Sequence, residues 1–124
     1  MTVEAAVRCE NLKFAYDEGA PEILRGCSIT IPRNSYSVIA GPSGAGKSTF
    51  ARTLNNLIPL FLRGPFSGKR WISGEQLEKQ SIASMALRIG MVFQDFEHQL
   101  FSTDSRHELA FGLENFGISH DEMR

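Results

Sequence analysis

The residues best suited to chemistry lie together in Gly41-Pro42-Ser43-Gly44-Ala45-Gly46-Lys47-Ser48-Thr49, and from Gly41 to Ser48 they fit the phosphate-loop spacing G-x-x-x-x-G-K-[ST]. A polyphosphate concentrates negative charge in a small volume, so its site needs backbone N–H groups aimed inward with no Cβ in the way. Gly44 and Gly46 permit that approach. Lys47 brings a compact positive charge for the β- and γ-phosphates, and Ser48 offers a hydroxyl to Mg²⁺. A helix starting here turns its positive dipole end toward the anion. The bland alternative is a glycine-rich turn that only starts a helix, and Lys47-Ser48 directly after Gly46 argues against it.

Such a loop needs a buried strand before it and a helix after it. Tyr36-Ser37-Val38-Ile39-Ala40 is apolar and β-rich, which predicts the strand, while Phe50, Leu54, Leu57 and Ile58 recur at helical spacing. Upstream, apolar residues alternate at Val7 and Cys9, then change phase to Leu12, Phe14 and Tyr16, which predicts a strand with a bulge at Glu10-Asn11. A second strand ends at Pro32, and Arg33-Asn34 reads as a hairpin turn. Downstream, Lys69 to Ile72 predicts a short strand turned by Ser73-Gly74, and Ser81 to Arg88 is weakly helical. The continuous apolar run Ile89 to Phe93 predicts a strand buried on both faces, with Gln94 at its carboxyl end, where open α/β sheets bind ligands. Residues 95–103 read as a loop. A helix follows, capped by Ser102, Thr103 or Asp104, with Leu109, Leu113 and Phe116 on one face and an end at Gly117.

At 124 residues, 42% of them hydrophobic, the chain suits a single domain with a core. A formal net charge of -1 and the lack of a long basic run argue against a nucleic-acid partner. The longest apolar run, Leu57 to Leu62, is broken by Pro59 and falls far short of the ~20 residues of a spanning helix. The first residues lack the basic start and apolar centre of a signal peptide, which predicts a cytoplasmic protein. Cys9 and Cys27 have no metal-ligand spacing and read as reduced, packed thiols; His98, His107 and His120 likewise suggest no metal site.

With these pieces in order, the sequence from about Val7 to Ile118 resembles the nucleotide-binding subunit of ATP-binding cassette (ABC) transporters. The resemblance rests on Glu10 to Tyr16, on Gly41 to Thr49, on Ser67-Gly68 before a strand, and on Gly90-Met91-Val92-Phe93-Gln94. Phe93-Gln94-Asp95, Gln99-Leu100-Phe101 and Glu108 to Asn115 look like the energy-coupling-factor and cobalt-type subgroup, whose importers take up vitamins or metal ions. The fold class implied is α/β, a phosphate-loop NTPase core with an antiparallel β subdomain at its N-terminus. Residues 1–40 would form the β-rich start, 41–58 the phosphate loop and helix, and 89–103 the glutamine-containing loop region.

The resemblance makes Tyr16 the aromatic that stacks on adenine, and Gln94 a contact for Mg²⁺ or the attacking water, with Ser48 as the other metal contact. Gly41, Pro42, Ser43, Gly44, Ala45, Gly46, Lys47, Ser48 and Thr49 would hold the phosphates of ATP. The loop after Gln94, with Phe96, Leu100 and Phe101, would dock a transmembrane subunit, and a second ATPase subunit, identical or paralogous, would share the nucleotides. Its place would be the inner face of the cell membrane, as a peripheral subunit.

Ser35-Tyr36 and Pro42-Ser43 depart in minor ways from the family's usual pattern. The family's hydrolytic carboxylate after an Asp-Glu strand, its L-S-G-G-Q-type signature and its later histidine find no counterpart, since Asp121-Glu122 follows no apolar strand. The expectation is therefore an incomplete front half that binds nucleotide without the residues for hydrolysis. The alternatives are a complete nucleotide-binding regulator without turnover and a small phosphoryl transferase. Against the latter, two or three strands precede the loop.

Overall fold

A computed structural model describes residues 4–123, in two compact units, Met1–Ile89 and Gly90–Arg124. The first unit is built on a four-stranded antiparallel sheet in the order β2-β1-β3-β4. Its strands are β1 (Ala5–Phe14), β2 (Leu24–Pro32), β3 (Phe66–Ile72) and β4 (Glu75–Gln76).

The phase change in β1 is a bulge. Cys9 pairs with Ile29 and Leu12 with Cys27, so β1 carries one more residue than β2 between the same two rungs, and Asn11 takes a φ of +49°. The extra residue turns Leu12 and Phe14 to the same face as Cys9. On the other side, Gly68 of β3 passes so close that a Cβ there would stand 2.6 Å from the Asn11 carbonyl oxygen. Only glycine fits. Cys9, Leu12, Phe14, Leu24, Phe50 and Ile58 form the main core, and Ile72, Leu77 and Met85 form a second cluster.

Helix α1 (Lys47–Leu54) ends earlier than the spacing of Phe50, Leu54, Leu57 and Ile58 predicts. Asn56 turns the chain with a φ of +63°, and only a four-residue helical turn, α2 (Leu57–Leu60), follows, with Ile58 non-helical inside it. The break has a cause in packing. The Asn56 side-chain amide is buried and donates to the carbonyls of Leu77 and Gln80, at 2.9 and 2.8 Å, binding this turn to the short 3₁₀ turn Leu77–Lys79. Helix α3 (Ile82–Ala86) is capped by Ser81, which accepts from the Ser84 amide, and Glu75 of β4 grips Arg88 through two hydrogen bonds of 2.7 and 3.1 Å.

Arg70 of β3 is 1% exposed. Its guanidinium donates to the Thr53 carbonyl at the end of α1 and to the Ile58 carbonyl (3.0 Å), and it lies 4.6 Å over the Phe66 ring. Glu78 stands 3.6 Å from Nε, within ion-pair reach and beyond hydrogen-bond length. Burial pulls the guanidinium pKa down and Glu78 pulls it back up.

The strands expected over Tyr36 to Ala40 and over Ile89 to Phe93 do not form. Neither segment joins a ladder among the described residues, and Tyr36, Val38 and Val92 are largely exposed. An apolar run favours a strand only where a neighbour accepts its hydrogen bonds.

The second unit holds a 3₁₀ turn at Phe96–Gln99 and helix α4 (Ser105–Asn115). Of the three capping candidates, Asp104 occupies the N-cap, its carboxylate accepting from the Arg106 amide at 2.7 Å. The helix stops as expected at Gly117, where the Gly117 and Ile118 amides donate to the Glu114 and Leu113 carbonyls. Its apolar face stays open, with Leu109 75% exposed.

Arg70→Met keeps most of the side-chain volume but leaves the Thr53 and Ile58 carbonyls unpaired, so urea unfolding is expected to lose about 3 kcal/mol. An unchanged midpoint would show that the guanidinium does not hold the unit together. Cys9, with its pKa pushed up by burial to about 11, is mostly thiol at pH 8 and is expected to react with a disulfide reagent only after unfolding. The same shift makes folding stability fall as pH climbs from about 9 toward 11, because the unfolded thiol ionises first. Reaction of native Cys9 at the rate of a free thiol would contradict this burial.

Candidate functional site

The loop begins where the chain leaves the exposed 35–40 segment, and it closes on itself before α1. The Ala45 amide donates to the Pro42 carbonyl at 3.2 Å, and Gly44 and Gly46 take φ values of +79° and +89°. Gly46 is the N-cap of α1, no side chain caps that end, and the first helical bond runs from the Phe50 amide to the Gly46 carbonyl at 2.8 Å. The amides of Lys47, Ser48 and Thr49 precede that bond, so they belong to the donors that a helix start offers to an anion.

Lys47 folds back over the loop, and its ammonium donates to the carbonyls of Gly41 and Pro42, at 2.8 and 2.7 Å. Two of its three N–H donors are thus engaged, and one is left for an outside acceptor. Ser48 is exposed, whereas Thr49 is buried against the sheet. A groove of about 250 Å³ runs beside the loop, lined by Ile23, Cys27, Ile29, Ile39, Lys47 and Phe50 among others.

Tyr16 lies beyond the end of β1. Its ring meets Phe14 edge to face, with centroids 4.9 Å apart and planes at 77°, and it remains 38% exposed. Its hydroxyl lies 3.0 Å from the Thr49 hydroxyl. The first unit therefore brings together the glycine loop, Lys47, Ser48, Thr49 and Tyr16.

Gln94 belongs to the second unit, where it is exposed. Around it the Phe93 amide donates to the Gln99 side chain at 3.1 Å, and Glu108 accepts from the Phe101 and Ser102 amides, at 3.0 and 2.7 Å. Phe96, Leu100 and Phe101 are exposed, and Phe101 packs on Phe111 with ring centroids 5.1 Å apart.

The donor set of the loop fits a polyphosphate: uncapped amides, one ammonium and the exposed hydroxyls of Ser43 and Ser48. It fits a metal only in company with that ligand. Among the described residues no group of three or more His, Cys, Asp or Glu could hold a metal ion. Mg²⁺ would take most of its coordination from phosphate oxygens and water, and the exposed Ser48 hydroxyl is a protein oxygen that this unit could add.

Two features escape the sequence reading. The Tyr16–Thr49 pair spans 33 positions and leaves no spacing signal. Arg70 did leave one, because it shares its strand phase with Phe66 and Ile72, which marks it as an inward-facing charge.

Residues 24–124 match the family model described as ABC transporter. A protein of Caldanaerobacter subterraneus described as an ABC transporter ATP-binding protein is 44% identical over 115 residues, covering 92% of this chain and 20% of that protein. A Pyrococcus abyssi protein of the same description is 38% identical over 117 residues, covering 94% of this chain and 42% of the relative. An energy-coupling factor transporter ATP-binding protein of Oceanobacillus iheyensis is 37% identical over 118 residues, 95% of this chain and 40% of that protein. The chain thus spans between about a fifth and two fifths of the length of these relatives. Among solved structures, a bacterial Atm1-family ABC exporter with ATP bound aligns with a TM-score of 0.63 and 35% identity, over 77% of this chain and 16% of that one.

Gly46→Ala tests the loop conformation. The new Cβ would stand 3.2 Å from the Ile23 carbonyl oxygen at a φ of +89°, so a loss of about 1 to 2 kcal/mol in thermal unfolding is expected. Full retention of stability would mean that the left-handed turn is not required.

Proposed function

The chain belongs to the ABC transporter family and has the fold class of its ATPases; from that premise we propose that it is the nucleotide-binding part of a transporter's ATP-binding subunit. The observation that supports this best is the loop itself, two left-handed glycines presenting an uncapped helix start beside Lys47. In this reading Gly41 to Thr49 hold the phosphates, and the Lys47 ammonium exchanges its own loop carbonyls for phosphate oxygens. The exposed face of Tyr16 receives adenine. Ser48 would contact Mg²⁺, which when bound would neutralise phosphate charge, and Gln94 is the further metal contact that the family resemblance implies.

Residues 1–40 serve as the β-rich platform, 41–58 as the phosphate loop with its helix, and 89–103 as the segment carrying Gln94. The exposed Phe96, Leu100 and Phe101 after Gln94 offer an apolar contact for a transmembrane subunit. A second ATPase subunit completes the nucleotide site, at the cytoplasmic face of the membrane. No helix among the described residues is long and apolar enough to cross a membrane. The energy-coupling factor relative supports that subgroup as the finer reading, and uptake of a vitamin or metal ion is what the resemblance to the subgroup implies. Hydrolysis needs a carboxylate to orient the attacking water, and the site as built from these residues contains none, so the 124-residue chain binds ATP without turning it over.

Calorimetric titration of the chain with Mg-ATP tests this directly. Lys47→Ala, which removes a charge-assisted contact, is expected to weaken binding by about tenfold or more, with no phosphate released by either form. Equal affinity in the variant would remove the phosphate loop from the reading. Phosphate release that Lys47→Ala abolishes would instead establish a phosphoryl-transfer enzyme.

A further inference from the structure

The Tyr16 ring reaches the loop by way of Thr49, and this contact has a consequence for base recognition. A tyrosine beyond the end of a strand rotates about two side-chain bonds, and a ring that must meet a flat ligand loses that freedom on binding. Ordering such a side chain costs roughly 0.5–1.5 kcal/mol when it happens in the complex. Here the ring is already held at both ends. Phe14 packs edge to face against it at 4.9 Å, and its hydroxyl meets Thr49 Oγ1 at 3.0 Å. Phe14 is fully buried and Thr49 is 6% exposed, so both supports are fixed by the core rather than by solvent-facing chains.

We infer that Thr49 is a positioning residue for purine binding: its hydroxyl accepts from the Tyr16 hydroxyl and holds the ring face ready for the base. A phenol is the stronger acid of the two alcohols, which makes Tyr16 the donor. Thr49 thus joins the two halves of the nucleotide site. It sits in the first turn of the helix that starts at the phosphate loop, and it sets the angle of the aromatic that meets the base. The inference rests on the adenine-stacking reading of Tyr16 and goes beyond it, since that reading asks only for a ring and gives the tyrosine hydroxyl no part.

A hydroxyl that merely satisfied a buried polar atom would affect folding and would weaken every ligand of the loop alike. A positioning hydroxyl affects the base alone. The experiment is calorimetric titration of the 124-residue chain with Mg-ATP and, separately, with Mg-tripolyphosphate, which has the phosphates and no base. The variants are Tyr16→Phe, Tyr16→Ala, Thr49→Val, Thr49→Ser and the Tyr16→Phe/Thr49→Val double, each checked for folding by urea unfolding. Tyr16→Phe is expected to weaken Mg-ATP about fivefold, the worth of one neutral hydrogen bond, and to leave Mg-tripolyphosphate unchanged. Thr49→Ser keeps wild-type selectivity, and the double variant binds Mg-ATP no more weakly than the weaker single one.

Each contrary result has its own meaning. If Tyr16→Ala weakens Mg-ATP while Tyr16→Phe matches the wild type, the ring matters and the hydroxyl pair does not, which overturns the inference and leaves the proposed function standing. Equal losses for Mg-ATP and Mg-tripolyphosphate in Tyr16→Phe also overturn it, by assigning the pair a structural role. If Tyr16→Ala changes nothing, or the wild type binds no Mg-ATP, the stacking reading fails and the inference fails with it. Should Thr49→Val not fold, Tyr16→Phe and Thr49→Ser still decide the matter.

Discussion

The first unit depends on one buried cation. Arg70 sits beneath the sheet where an apolar side chain would be the simpler choice, and it replaces hydration with two carbonyls, one aromatic face and the nearby Glu78 carboxylate. The Thr53 carbonyl lies in the last turn of α1, where helix oxygens lack intrahelical donors, and the Ile58 carbonyl belongs to the non-helical residue inside α2. A positive charge at that end also complements the helix dipole. β3 is thereby tied to the C-terminal end of α1, and the N-terminal end of the same helix carries the glycine loop. Whatever fixes the axis of α1 fixes the direction of its uncapped amides.

The bulge in β1 does the matching work on the other side. With one extra residue at Asn11, and Gly68 close enough to admit no side chain, β1 changes phase midway while keeping both neighbours paired. Without that change Phe14 would leave the core and Tyr16 would lose its support. Sheet irregularity and site geometry are therefore one problem: the bulge delivers Phe14 to the core, Phe14 braces Tyr16, and Tyr16 reaches Thr49 in the first turn of α1. A ring and a phosphate loop far apart in sequence come to share one hydrogen bond.

Much of this arrangement was legible in residue order. The bulge at Glu10-Asn11, the turn at Ser73-Gly74, a helix cap within Ser102 to Asp104 and the stop at Gly117 were readable because each depends on neighbours within a few positions. The strands expected over 36–40 and 89–93 were misread for the opposite reason, since a parallel strand exists only with a partner, and a hydrophobic run carries no record of whether one is at hand. The break at Asn56 was missed likewise. Helical periodicity runs through it, and only the carbonyls of Leu77 and Gln80, 21 and 24 positions away, make the turn favourable.

The sequence by itself determined the chemistry of the loop, because phosphate recognition by backbone amides requires glycine, lysine and a hydroxyl at fixed short spacing, and that requirement is local. It also determined the family, through motifs of the same kind. Only the tertiary structure decided that Arg70 ties β3 to the end of α1, that Asn56 ends the helix region early, and that Tyr16 is bonded to Thr49. Each of these is a polar group whose partner is chosen by burial. Once water is excluded, a donor must find whichever acceptor the fold brings near, and sequence separation plays no part in that choice.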